Sequence, residues 1–128
     1  MVELFAFAVV LLLVARWALG WQSKGQQGEQ EVRNRLGRRL DKTTYQTLNN
    51  ITLAVQGTTT QIDNIVVSRF GVFVIETKNM SGWIFGAADQ SNWTQVLYKV
   101  KYRFQNPLRQ NYRHVQTLKD QLGLSPTR

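Results

Sequence analysis

Three side chains in the middle of the chain have the types and spacing for hydrolytic chemistry on phosphate: Asp63, Glu76 and Lys78. Two apolar, β-branched runs, Gln61–Ser68 and Val72–Lys78, flank Arg69-Phe70-Gly71, which reads as a tight hairpin turn. Side chains alternate between faces along a strand. Asp63, Ile65 and Val67 therefore share one face of the first run, and Val72, Val74, Glu76 and Lys78 share one face of the second. Antiparallel pairing about the turn carries Asp63 and Glu76 to the same end of the hairpin, and an even register puts them on one face. Two neighbouring carboxylates resist ionising together unless a cation lies between them. Mg²⁺ meets that need, because it accepts one or two carboxylates with waters and substrate oxygens; Mn²⁺ would serve in its place. Such an ion polarises a phosphoryl oxygen and lowers the pKa of water. Lys78 is placed to hold an attacking water or to offset charge on a scissile phosphate. The Thr77 backbone carbonyl is available as a further metal ligand. The same spacing also describes a solvated salt-bridge cluster at a hairpin end.

The elements around this hairpin follow from periodicity. Val32, Leu36 and Leu40 recur every four residues and predict a helix over Gly28–Leu40. Thr44–Leu48 and Ile51–Val55 read as short strands separated by a turn at Asn49-Asn50, and Gln56–Thr59 as a loop. Gly82–Phe85 is a further strand candidate, and Trp93–Phe104 a strand or strand pair. Asn106-Pro107 opens a second helix, since Asn suits the cap and Pro the first turn. Leu108, Tyr112, Val115, Leu118 and Leu122 keep its spacing until Gly123.

Charge and composition bound the function. The 128 residues carry 16 Lys and Arg against 8 Asp and Glu, a net +8 that attracts polyanions: nucleic acid or an anionic membrane. Cysteine is absent and His114 is the one histidine, so thiolate chemistry and imidazole-rich zinc sites are excluded within one chain. His114 itself reads as a packed or surface side chain, and Trp83 and Trp93 as core or loop-packing residues. Lys99, Lys101 and Arg103 alternate with Tyr98, Tyr102 and Phe104, a pattern that suits either a phosphate backbone or a charge-protected edge strand.

The first 21 residues are a separate object. Leu4–Ala15 is uninterrupted apolar sequence, resumed after Arg16 by Trp17, Ala18, Leu19 and Trp21. As a helix, residues 4–21 would span about 27 Å, enough to cross a bilayer if Arg16 snorkels to the interface. Cations follow the segment and none precedes it. That predicts a single-pass anchor in the inner membrane with the C-terminal domain in the cytoplasm. A cleaved signal peptide or a core helix are the rival readings; the former lacks a positive start. Residues 22–27 read as a linker, and 28–128 as one folded domain.

Several ordered motifs then carry a resemblance. Gly28-Glu29-x-x-Val32, Thr60-Gln61-Ile62-Asp63, Gly71-Val72-Phe73-Val74-Ile75-Glu76-Thr77-Lys78-Asn79, Gly82, Trp93 and Asn106-Pro107-Leu108-x-Gln110-Asn111-x-x-His114 together resemble the nuclease-related domain (NERD) family, grouped with the PD-(D/E)XK nucleases. The resemblance covers about Gly25 to Leu122. It implies an α/β, restriction-endonuclease-like core with a mixed β-sheet and flanking helices, and Mg²⁺-dependent hydrolysis of DNA. By position it implies Asp63 and Glu76 as metal carboxylates, Lys78 as the catalytic lysine and Glu29 as an acid brought by the first helix. Gln61 and Gln110 would support the site residues or contact substrate; beside the resemblance, Arg113 and the basic–aromatic residues Lys99, Lys101 and Arg103 are candidate nucleic-acid contacts. A homodimer would suit cutting of both strands. The alternative is a non-catalytic nucleic-acid-binding or membrane-tethered module on the same fold.

Overall fold

The computed structural model describes residues 23–124 of the chain. The apolar segment at residues 4–21 lies outside them. Among the described residues no helix is long and apolar enough to cross a membrane.

The first helix, α1 (Lys24–Arg39), starts inside the stretch read as a linker. Ser23 explains why. Its hydroxyl accepts from the Gln26 backbone N–H while the Gln26 side chain accepts from the Ser23 N–H, a reciprocal cap that satisfies two otherwise orphaned donors. Only Val32 and Leu36 give α1 an apolar stripe. Its polar surface is held by pairs one turn apart, Glu31 with Arg35 at 2.6 Å and Gln30 with Asn34 at 3.0 Å. Arg38 and Arg39 complement the helix dipole in the last turn. Asp41 then closes the connection to the sheet, accepting from Thr43 N–H and from both threonine hydroxyls, Thr43 and Thr44. Those hydrogen bonds hold its carboxyl below the usual aspartate range.

Three strands follow in the order β1-β2-β3: β1 (Tyr45–Val55), β2 (Thr58–Ser68) and β3 (Gly71–Ile75). Gln56 and Gly57, both at positive φ, make the two-residue turn between the first pair. The two short strands expected over 44–55 are one strand. Asn50 has φ +52°, yet the register is the same on both sides of it, from Asn49 opposite Asn64 to Ile51 opposite Ile62. Asparagine tolerates that conformation, so a residue pair typical of turns sits inside a ladder. β2 is the central strand and carries the core: Ile62, Asn64, Ile65 and Val66 are all buried.

β4 (Trp83–Phe85), β5 (Asn92–Leu97) and β6 (Val100–Gln105) form a second sheet in the order β4-β5-β6. Residues 93–104 are thus a hairpin turning at Tyr98-Lys99. Every strand pair among the described residues is antiparallel, so the expected mixed sheet is replaced by two small antiparallel sheets. The final helix, α2 (Pro107–Gln121), packs against the first sheet, where Asn111 donates to the Val74 carbonyl at 3.2 Å and Gln121 to that of Ala54 at 2.6 Å. Asn106 joins the two halves. Its side-chain oxygen caps α2 by accepting from Leu108 N–H, and its amide nitrogen donates to the carbonyls of Ala87, Ala88 and Gln90.

Candidate functional site

The hairpin register decides where the acids meet. Pairing runs from Ser68 opposite Gly71 to Asn64 opposite Ile75, and one further step sets Asp63 opposite Glu76. The strand stops there. Asp63 Oδ2 accepts from the Thr77 backbone N–H at 2.8 Å, so a side chain takes the donor beyond the last strand residue. Glu76, Thr77 and Lys78 therefore lie beyond β3 rather than in it, and the strand expected to reach Lys78 ends at Ile75. This turns the Lys78 ammonium back onto Glu76 Oε1, at 2.6 Å.

A cleft of about 680 Å³ opens where this hairpin end meets α1 and α2. Glu29, Gln61, Asp63, Glu76, Lys78 and Gln110 all line it, as does Thr77, each predicted from sequence as a site residue. Gln61 also donates to Asn50 Oδ1 at 3.3 Å, holding the distorted point of β1. Lys101 and Arg103 do not reach the cleft. Phe104 lines it, and strand alternation turns its neighbours Arg103 and Lys101 to a different side: residues 101 and 103 share one face of β6, Phe104 the other. Lys99 sits at the β5–β6 turn, and Arg113 is exposed on α2 outside the cleft lining.

His114 belongs to the site, although taken alone it reads in the sequence as a packed or surface side chain. It is 3% exposed, lines the cleft, and sets Nδ1 3.4 Å from Glu76 Oε2. The contact is close but not aligned as a hydrogen bond, so both atoms are buried without a partner. The Thr77 hydroxyl is a third such atom. The sequence signal was its place at the end of the Asn106–His114 motif, seven residues after Pro107.

Electrostatics mark the same spot. Glu29 has its pKa raised, first by burial and next by the Asp63 and Glu76 carboxylates, against the lowering pull of Arg33 and Lys78. A raised pKa means that ionising Glu29 opposes folding. Its stabilising contribution is full below the ordinary value of 4.5 and is lost as pH rises through the folded-state value. Glu29→Gln is therefore expected to melt higher than the parent at pH 7 in EDTA, with the advantage gone below pH 4.5. Thermal melts across pH check it.

α1 is brought this close by Gly28. A Cβ there would lie 2.4 Å from the Asn79 Cβ, and Asn79 also donates to the Lys24 carbonyl at 2.7 Å. Gly28→Ala should push α1 off the 76–79 segment and cost about 1–3 kcal/mol, read by urea denaturation.

Cation fit follows from the donors. Among the described residues no three acidic or imidazole groups converge closely enough to hold a metal unaided. Asp63 and Glu76 supply two carboxylates, with one buried Glu76 oxygen unmet. Two carboxylates completed by water and substrate oxygens suit Mg²⁺ and would not suit Zn²⁺. Here the Lys78 ammonium neutralises Glu76, so an entering ion would compete with it.

Comparison with known proteins agrees with the motifs. The family model described as "Nuclease-related domain" matches residues 24–128. An uncharacterized protein of Bacillus anthracis is 42% identical over 120 residues, covering 91% of this chain and 55% of that protein. The chain thus spans about half the length of this relative. No solved structure matches.

Proposed function

The chain belongs to the nuclease-related domain family, within the PD-(D/E)XK superfamily, and from that footing we propose that it is a Mg²⁺-dependent nuclease acting on DNA phosphodiester bonds. The observation that carries this reading is the Glu76 carboxylate. It is 5% exposed at the wall of a cleft, set beside Asp63 by the hairpin register, with one oxygen on Lys78 and the other unmet. Desolvating a carboxylate is costly enough that a buried ion pair is weak grounds for stability by itself, which favours a use for this acid at the cleft.

Asp63, Glu76 and the Thr77 carbonyl would hold the ion. When bound, it supplies Lewis-acid polarisation of a phosphoryl oxygen and activates water. The chain's own groups do the rest. Lys78, a third exposed, reaches into the cleft and offsets negative charge growing on phosphorus-bound oxygens. His114 packs against Glu76 and fixes its carboxylate plane. Gln61 and Gln110 at the wall hydrogen-bond the sugar–phosphate backbone. Glu29 adds negative charge that strengthens cation binding, and its strained ionisation is relieved when the cation is present.

The Lys78–Glu76 pair also favours a second reading, a non-catalytic nucleic-acid-binding module in which Lys78 is a permanent counter-ion. Incubating the purified protein with plasmid and linear DNA in Mg²⁺, and in EDTA, separates them. Cleavage only with Mg²⁺ supports the nuclease; retention of DNA without cleavage supports the binding module. As further parts of this proposal, residues 4–21 tether the domain to the cytoplasmic side of the inner membrane, and a homodimer presents two clefts to a duplex. Fractionation and sedimentation test these.

A further inference from the structure

The second sheet has a face that the cleft does not use. Its register puts Trp83 opposite Val96 and Val96 opposite Lys101; likewise Phe85 opposite Thr94 and Thr94 opposite Arg103. Directly paired residues share a face, so these six side chains form two cross-strand rows. Each row runs aromatic, smaller side chain, cation. The rows lie two residues apart along the strands, about 6.6 Å, close to the nucleotide repeat of an extended single strand. Trp83 is 73% exposed and Phe85 56%. The packing role that sequence suggested for Trp83 is not the one the fold gives it. A groove of about 600 Å³ runs between Trp83, Phe85, Thr94, Val96 and Lys101. Lys101 and Arg103 form no ion pair with a described residue.

We propose that this outer face of β4–β6 is a stacking platform for single-stranded nucleic acid, with bases on Trp83 and Phe85 and phosphates on Lys101 and Arg103. Every base offers a π-face to an aromatic ring, and the cations stand two strands away on the side where a stacked base's phosphate would lie. Charge complementarity favours this occupant over a second copy of the chain. Two copies would set Lys101 and Arg103 of each against a partner that also carries +8. The β6 aromatics Tyr102 and Phe104, which made that strand look basic and aromatic in sequence, lie on the opposite face. The rings that matter come from β4. This proposal does not rest on hydrolysis at the cleft.

The test is run in EDTA, so that failure of cleavage and failure of this site are distinguishable. The full chain is titrated with labelled dT12 and rU12, and separately with phosphatidylglycerol vesicles. Trp83→Ala and Phe85→Ala are each expected to weaken oligonucleotide binding about 10-fold or more, and Trp83→Phe to restore most of it. Lys101→Ala with Arg103→Ala should lower the log–log salt slope by about 1.4, two phosphates' worth. The ratio of dT12 to rU12 affinity tells which sugar the platform prefers. Oligonucleotide affinity unchanged in Trp83→Ala and Phe85→Ala overturns the proposal. So does a loss confined to vesicles, or one confined to self-association.

Discussion

Glu76→Gln is expected to lower DNA cleavage at least about 100-fold and to leave the protein folded. Gln has the shape of Glu and keeps a carbonyl for the Lys78 ammonium, now 2.6 Å from Oε1. What it loses is the charge. One of the two carboxylates proposed to hold the ion becomes neutral, and a hard cation held by those two acids and water loses half of the charge they supply. The stability cost stays small, about 1–2 kcal/mol, because Lys78 is a third exposed and water can solvate the ammonium left behind. A cleavage rate within a few-fold of the parent, measured at saturating Mg²⁺ on protein whose melt is normal, would remove Glu76 from the chemistry. The same assay on Lys78→Ala separates charge offset from ion pairing. Loss of rate with cation binding retained assigns Lys78 to the developing charge.

Asn106→Ala should be the most damaging substitution for the fold, at roughly 2–4 kcal/mol. Asn106 is fully buried and does two jobs at once. Its oxygen caps α2, and loss of a cap alone costs about 1 kcal/mol. Its nitrogen bridges the Ala87, Ala88 and Gln90 carbonyls at 3.4, 3.1 and 2.7 Å, tying the loop of the second sheet to the start of α2. Asp at this position keeps the cap and loses the donor. Asn106→Asp should therefore lie between the parent and Asn106→Ala in urea midpoint at low pH, where Asp is neutral, and fall toward Ala at neutral pH, where a buried carboxylate faces three carbonyl oxygens. Equal midpoints for all three proteins would show that the bridging bonds hold nothing together.

Local pattern reached the hairpin and stopped at its end. Alternation along Gln61–Ser68 brought Asp63 and Glu76 to the same end of the hairpin but left the face to the register: a turn of three residues, 69–71, would have set Asp63 across from Thr77, and the observed turn at Arg69-Phe70, with Gly71 opposite Ser68, sets it across from Glu76. The end of β3 was not legible. It depends on Asp63 capturing the Thr77 N–H, a contact between residues 14 apart that no periodicity encodes. Asn49-Asn50 misled for a related reason: the residue type that favours turns also tolerates the single left-handed conformation at Asn50 within an intact ladder. Residues 24–27, part of the stretch read as a linker, are helical because the Ser23–Gln26 capping box starts a helix in a polar, glycine-containing stretch. The NERD motifs named the cleft-lining residues Glu29, Gln61 and Gln110, which spacing alone did not bring near Asp63. The burial of His114 and the exposure of Trp83 needed the assembled fold. His114 is buried only because α2 lies over the hairpin, and Trp83 is bare because nothing among the described residues covers the outer side of β4.

Hydrolysis at this cleft requires that Asp63 and Glu76 hold a divalent cation. Calorimetric titration of the full chain with Mn²⁺ measures this without any substrate. Saturable binding near one ion per chain is expected, weakened at least about tenfold in Asp63→Asn and again in Glu76→Gln. No binding by the folded parent, or binding as tight in both variants as in the parent, would contradict it.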